Sequence, residues 1–240
     1  MIHQVLPGDS LTETFRQTGI GGEVIVCREA FVTGDLDAKN LDQLWDIRSN
    51  FVSVEYVGDP IEYQDKVAGE LEKLLDVTSD DEVNLWFEYE LFCSVNMWFC
   101  LDQLIDSGAR VFRVAPVNTT PDNVWEGFGS STPEELSTCF DSRIQLSQED
   151  IAVGASLWNA YRDREMDELK KLSEYRSPCF PFLREVCEAA AEIEKTPLEI
   201  VTALRSEGLV EIETLFPEFR KRAGVYGFGD SQVESLMNRL

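Results

Sequence analysis

The residues best suited to chemistry stand directly behind four apolar runs. Gly8, Asp9 and Ser10 follow Ile2 to Leu6, Arg28 and Glu29 follow the run from Glu23, Glu88 and Glu90 follow Val83 to Phe87, and Asn118 lies beyond Arg110 to Ala115. An arginine there can hold a carboxylate or phosphate through two parallel hydrogen bonds. A glutamate kept from water can exchange a proton with a bound molecule. Glu88 and Glu90 are therefore the catalytic candidates, and Asp9, Ser10, Arg28, Glu29 and Asn118 the ligand-binding candidates. The competing reading makes Arg28 a structural ion-pair partner of Glu88 or Glu90.

Gly8-Asp9-Ser10-Leu11 matches the nucleophile block of the serine esterases named after those letters. A serine nucleophile needs a base to take its proton. The one histidine, His3, lies inside the first apolar run, and no D-x-x-H block follows. Ser10 with Glu13 instead makes an S-x-x-E capping box, and Ser231 with Glu234 repeats it in a second Gly-Asp-Ser. Both read as helix caps, although the free N–H groups of a cap behind a strand also suit an anion. Carboxylates could hold Mg²⁺ or Ca²⁺, but no D-x-D or EF-hand spacing is present, and no metal is expected. No dinucleotide fingerprint or P-loop occurs where a strand meets a helix, so no cofactor is expected, and Gly127-Phe128-Gly129 and Gly227-Phe228-Gly229 read as turns.

These residues need a scaffold that brings distant strand ends together. The alternation of short apolar runs with helical stripes predicts an α/β fold, a mostly parallel sheet with helices on both faces. In such a sheet ligands bind beyond the carboxyl ends of the strands. Leu41, Leu44, Trp45 and Arg48 mark one helix, and Tyr63, Val67, Leu71, Leu74 and Leu75 another. Val52, Val54 and Tyr56 alternate, as a short edge strand or the end of the first of these helices. Leu91 to Ile105 is apolar on nearly every side and must be buried all round. Beyond Pro116 every element reads as helix, started by Thr132-Pro133, by Ser147 with Asp150 and by Thr196-Pro197 with Glu199. The expected organisation is an α/β domain over 1–120, a loop and connecting helix over 121–146, and an all-helical C-terminal domain over 147–240 with a helix-turn-helix-like end.

A net charge of −24 bears on partners. From Arg176 onward 8 basic residues meet 11 acidic ones, which leaves −21 for the residues before it. The N-terminal part thus repels polyanions, and free nucleic acid or an anionic membrane is an unfavourable partner. The six cysteines form no C-x-x-C pair, which predicts free thiols, no structural zinc and a reducing compartment. The opening MIHQVLPGDS lacks a basic and an apolar leader region, and no apolar run approaches the roughly 20 residues of a membrane span, so the expected location is the cytoplasm.

Gly22-Glu-Val-Ile-Val-Cys-Arg28-Glu29, Leu85-Trp-Phe-Glu88-Tyr-Glu90-Leu-Phe-Cys93 and the opening His3 to Ser10 resemble the bacterial domain-of-unknown-function family 1835, over roughly Met1 to Val117. Tyr226-Gly-Phe-Gly-Asp-Ser-Gln232 is similar to the helical tail of its longer members. Relatives commonly carry a tryptophan or another large residue before the arginine, so Cys27 is a departure. The resemblance implies an uncharacterised protein and carries no activity or catalytic residue, but it points to the same strand ends. Two functions are therefore expected to compete. One is a small anionic ligand bound at the carboxyl edge of the sheet, with or without catalysis. The other is a regulatory or interaction protein that docks on protein or DNA through its C-terminal helices. The last helix carries only Arg239 as a cation, against Glu234, and this disfavours DNA. In a gel-shift titration at physiological salt the chain should bind duplex DNA no tighter than roughly 10⁻⁴ M. Submicromolar binding would reverse that ranking.

Overall fold

The fold is built on the alternation of Val5 with Leu6 and of Leu85 with Trp86, which sends successive side chains to opposite faces of one sheet. It is described by a computed structural model covering residues 1–55, 59–117 and 119–240. The strands are β1 (Ile2–Leu6), β2 (Glu23–Val26), β3 (Glu82–Trp86), β4 (Arg110–Val114) and β5 (Ile144–Gln145), in the order β2-β1-β3-β4-β5. The first four are parallel, as expected. β5 corrects the expectation of helix alone after Pro116, because Ile144 and Gln145 lie antiparallel to Arg113 and Phe112. Two residues are too short a run for an alternation pattern to show.

Helices cover both faces. On one, Leu6, Trp86 and Val114 pack with Leu11 and Phe15 of α1 (Asp9–Gln17) and Leu136 and Cys139 of α6 (Pro133–Asp141). On the other, Val5, Ile25, Val83, Leu85 and Val111 join the larger core with α2 (Leu41–Glu55), α5 (Leu91–Gln103) and α7 (Gln148–Arg162). Val52 and Val54 lie in α2, and Tyr56 falls outside the described residues. Between α2 and β3 the chain runs through α3 (Pro60–Tyr63), a π turn, α4 (Gly69–Glu72) and a 3-10 turn ending at Asp76.

Every residue of α5 from Leu91 to Leu101 except Phe92 is buried, as its uniformly apolar sequence requires. The helix lies against the sheet and against α7. At their closest approach, a Cβ on Gly154 would stand 2.3 Å from Leu101 Cδ1. Beyond α7 follow α8 (Met166–Leu172), α9 (Leu183–Ala191), α10 (Thr196–Ser206), α11 (Ile212–Ala223) and α12 (Asp230–Asn238). The last three close on one another around Leu204, Leu215, Phe219, Val233 and Leu236. All six cysteines are unbridged and buried, and no helix among the described residues is long and apolar enough to cross a membrane.

Thr132 and Ser147 cap their helices through full capping boxes. The other three expected caps are corrected. Helix α1 starts at Asp9 and α12 at Asp230, with Gly8 and Gly229 in the capping positions. Ser10 and Ser231 are therefore the second helical residues, inside the turn whose N–H groups a cap would have to reach. Helix α10 begins directly from the preceding turn, where Thr196 N donates to Glu192 O, so Thr196 has no free terminus to cap.

One polar cluster ties α2 to the end of β2. Glu29 and Arg48 have no solvent-exposed side-chain surface and form an ion pair of 2.7 Å. Arg48 also donates to the carbonyls of Ala30 and Thr33, Tyr63 donates to Glu29 Oε1, and Asn96 of α5 donates to the Glu29 carbonyl. Removing one partner of a buried pair strands the other charge at a cost of about 3–5 kcal/mol, whereas an exposed pair is worth about 0–1 kcal/mol. Arg48→Ala should accordingly lower the urea unfolding free energy by about 3–5 kcal/mol, and Arg28→Ala by under about 1 kcal/mol. Equal losses for the two variants would show that the buried pair does not hold α2 in place.

Candidate functional site

The ends of β1 and β2 bring Asp9 and Arg28 together. Arg28 Nε and Nη2 donate to the two carboxylate oxygens of Asp9 at 2.8 and 2.9 Å, and Nη1 donates to Lys66 O. The guanidinium lowers the Asp9 pKa and the carboxylate raises that of Arg28. Neither Glu88 nor Glu90 takes part, which corrects the expected ion pair. Asp9 is simply the nearer acid, since β1 and β2 are adjacent while β3 lies beyond β1. Ser10 is exposed beside this pair, and Asn118 falls outside the described residues. Glu29 belongs to the enclosed cluster with Arg48, where its carboxylate is occupied by Arg48, Tyr63 and Ala30 N. Neither the cleft described below nor a small cavity beside Arg113 is lined by Asp9, Ser10, Arg28, Glu29, Glu88 or Glu90.

Glu88 and Glu90 do lie together, under the two Gly-Phe-Gly turns. Gly127 has a φ of 72° and Gly227 one of 67°. A Cβ on Gly127 would fall 2.0 Å from the Glu88 carboxyl carbon, and one on Gly227 would fall 2.3 Å from Glu90 Cγ. Both positions thus require glycine twice over, for the left-handed backbone and for the room. Phe128 N donates to Glu88 Oε1 at 2.6 Å. Glu90 caps α5, its Oε1 accepting from Cys93 N at 3.0 Å. Burial raises the Glu88 pKa, and burial together with the Glu88 charge pushes Glu90 up to about 8. Arg113 passes beside the pair, buried, donating to the carbonyls of Glu88 and Cys179.

A more open cleft lies elsewhere, between the α/β part and the C-terminal helices. It is a cleft of about 580 Å³, within the range typical of small-molecule sites. It is lined by Val32, Thr33 and Gly34, by Phe51 and Glu55 of α2, by Ser235 and Leu236 of α12, and by Arg239 directly behind that helix. Arg48 holds Thr33 O, and Tyr161 donates to Val32 O at 3.0 Å, so hydrogen bonds from α2 and α7 fix Val32 and Thr33. The floor comes from Tyr161, Met166, Ala190 and Ile193.

Three arginines line this cleft in a strongly acidic protein. Arg162 is held by the neighbouring Asp163 at 2.8 Å. Arg164 and Arg239 have no ion pair among the described residues. Arg164 also has a φ of 57°, the one positive value among described non-glycine residues. Its N–H bonds to Tyr161 O and that of Glu165 to Ala160 O, the hydrogen bonds of a helix end whose left-handed position normally belongs to glycine. An arginine there costs about 1–2 kcal/mol in backbone strain. No protein-family model, curated protein or solved structure matches the chain.

Reasoning from strand ends missed the cleft because its arginines sit at helix ends far along the chain. The visible signal was Asp163-Arg164-Glu165 directly behind a helix, where a glycine would ordinarily stand. The two Gly-Phe-Gly segments were legible as turns but not as covers for the acid pair. Gly208 separates strain from crowding, since its φ is 95° but a Cβ there would meet nothing within 4 Å. Gly208→Ala should cost about 1 kcal/mol from strain alone. Gly127→Ala and Gly227→Ala should each cost at least about 1 kcal/mol more, as overpacking against the carboxylates adds to it. Three equal losses in chemical denaturation would mean that the turns do not press on Glu88 and Glu90.

Proposed function

We propose that the protein binds a small organic anion, a carboxylate or phosphate ester with an apolar body, in the cleft between its α/β part and its C-terminal helices. The observation that carries this reading is Arg164, a strained arginine without a carboxylate partner at the edge of a cavity of about 580 Å³. Strained backbone is retained where the side chain it places has work to do. Arg239, a second arginine of the lining without an ion pair, supports it, and two guanidinium groups lining one cleft can share one anionic group. Phe51, Met166 and Leu236 offer an apolar bed, while Glu55 and Glu194 offer acceptors for hydroxyl or amino groups. The reading keeps the anionic ligand expected from the sequence and moves it from the strand ends to the cleft. Kinship of the N-terminal part with domain-of-unknown-function family 1835 belongs to the proposal on the same footing and assigns no residue a role.

A regulatory reading is favoured by one observation, that α12 forms a wall of the cleft. A ligand spanning Arg164 and Arg239 would clamp the last three helices against the α/β part, so occupancy and the exposure of those helices would be linked.

A thermal-shift screen of carboxylates and phosphate esters at constant ionic strength tests the proposal. A ligand at about 100 times its Kd should stabilise the chain by about 2.7 kcal/mol. Arg164→Gly should abolish that shift and leave the unliganded Tm unchanged or higher, because glycine relieves the left-handed strain. Arg239→Ala should weaken binding by about 10- to 100-fold, the value of a charge-assisted hydrogen bond. Lys170→Ala, on the exposed side of α8, should change neither. A ligand whose shift survives both arginine changes would place its site outside the cleft.

A further inference from the structure

The acid pair under the glycine turns includes a third group. Cys93, one turn into α5, brings its thiol to the same point, and one ligand atom each from Glu88, Glu90 and Cys93 lies within 4.8 Å of the other two. We propose that these three residues form a structural zinc site at the carboxyl edge of the sheet, beneath the two Gly-Phe-Gly turns.

The hydrogen bonds around the cluster leave the right atoms vacant. Phe128 N holds Glu88 Oε1 and Cys93 N holds Glu90 Oε1, so each carboxylate is oriented by the backbone through one oxygen. Backbone anchoring of this kind is how a ligand's second partner fixes its aim at a metal. Of the other two oxygens, Glu88 Oε2 meets only the Cys93 thiol, at 3.9 Å. Glu90 Oε2 is buried and has no hydrogen-bond partner. Glu90 is 3% exposed, and a carboxylate oxygen so deeply enclosed needs a counterpart. Two oxygens and a sulfur that face one another, all acceptors once ionised, are complementary to a cation.

The donor set selects the metal. Carboxylates alone would suit Mg²⁺ or Ca²⁺, but a thiolate turns the preference toward zinc. Zinc–oxygen and zinc–sulfur bonds of about 2.0–2.3 Å put tetrahedral ligand atoms about 3.3–3.8 Å apart, so the present spacing needs an inward movement of about 1 Å. Charge agrees. Two carboxylates, a thiolate and the buried Arg113 guanidinium leave two negative charges, which a divalent cation cancels, while Arg220 acts on Glu88 only from the exposed surface. The alternative occupant is a proton on Glu90, whose pKa is already pushed up to about 8 by burial and by Glu88. Zinc would displace that proton along with the one on Cys93. Three protein ligands leave the fourth tetrahedral position to water, and with neither cavity lined by the ligands no substrate reaches it, which assigns the site to structure rather than catalysis.

The turns explain why such a site would matter. Gly127 presses on Glu88 from the loop ahead of α6, and Gly227 presses on Glu90 from the segment ahead of α12. A metal beneath them would be held by one stretch of chain, Glu88 to Cys93, and would fix the two carboxylates against which the distant turns lie.

Elemental analysis of the full chain, purified without metal-affinity steps or chelators, should find about one zinc per chain. After chelator treatment, added Zn²⁺ should raise the Tm of the wild type. Co²⁺ should give a thiolate-to-cobalt charge-transfer band in the near ultraviolet. Cys93→Ser should lose the band, and Glu90→Gln, close in shape and free of buried charge, should weaken zinc at least 10-fold while its circular dichroism matches the wild type. Absence of zinc as isolated, with no Tm shift and no cobalt band on addition, would show that the cluster holds a proton alone. Equal metal binding by the wild type and Glu90→Gln would equally overturn the site.

Discussion

Glu29 and Arg48 meet without solvent where β2 ends, and a large part of the molecule is arranged to keep them satisfied. Two charges in a low-dielectric interior are tolerable only with good geometry and with their remaining donors and acceptors occupied. Arg48 therefore takes two backbone carbonyls of the following loop, Glu29 takes the Tyr63 hydroxyl and an N–H, and Asn96 ties the backbone of Glu29 to α5. The loop then passes so close to α2 that Gly34, at a φ of 84°, has Arg48 and Phe51 where a Cβ would be. Phe31 completes the enclosure, stacked on Trp45, tilted against Phe99 and edge to face with Trp158.

The consequence of this cluster for function is a rigid wall. Thr33 is held by Arg48 and Val32 by Tyr161, so the cleft opens beside a loop that cannot easily collapse into it. A site built on a fixed wall loses little entropy when a ligand arrives. Another part of the lining comes from α12, a short helix close to the last described residue, and from Arg239 directly behind it. The fold thus pairs a firm half with a half carried by the last three helices, and the strained Arg164 stands between them. Arg164 holds a left-handed backbone that glycine would adopt without strain, and under the proposed binding role that strain is the cost of placing its side chain.

The acid pair shows the same trade in another form. Glu90 serves as the N-terminal cap of the most buried helix, a place where a serine or aspartate would do without a raised pKa. Putting an acid there, next to Glu88 and Cys93, gathers three groups that cannot all ionise without a counter-charge, and the glycine turns then seal them. The spacing Glu88-x-Glu90-x-x-Cys93 matches none of the familiar metal signatures, because its members straddle a strand end and a helix start rather than sharing one element.

Much of the scaffold was determined by local pattern. Four apolar runs became four parallel strands with ends within one residue of those expected, and the uniformly apolar α5 became the buried centre, because periodicity and burial are properties of neighbouring residues. Thr132 and Ser147 were legible for the same reason, since a capping box is complete within four residues. The partnerships were not legible. Arg28 pairs with Asp9, Glu29 with Arg48, and Glu88 with a loop some forty residues away, and each choice depended on which strands became neighbours and how loops returned over their ends. Ser10 failed as a cap because a helix that starts two residues earlier takes its hydroxyl out of reach of the free N–H groups. The cleft lies furthest from the sequence, since its walls come from segments between Val32 and Arg239 that share no local pattern. A chain fixes its own strands and helices through short-range repetition, while the meeting of charges and the opening of a cavity depend on long-range packing, and that only the tertiary structure decides.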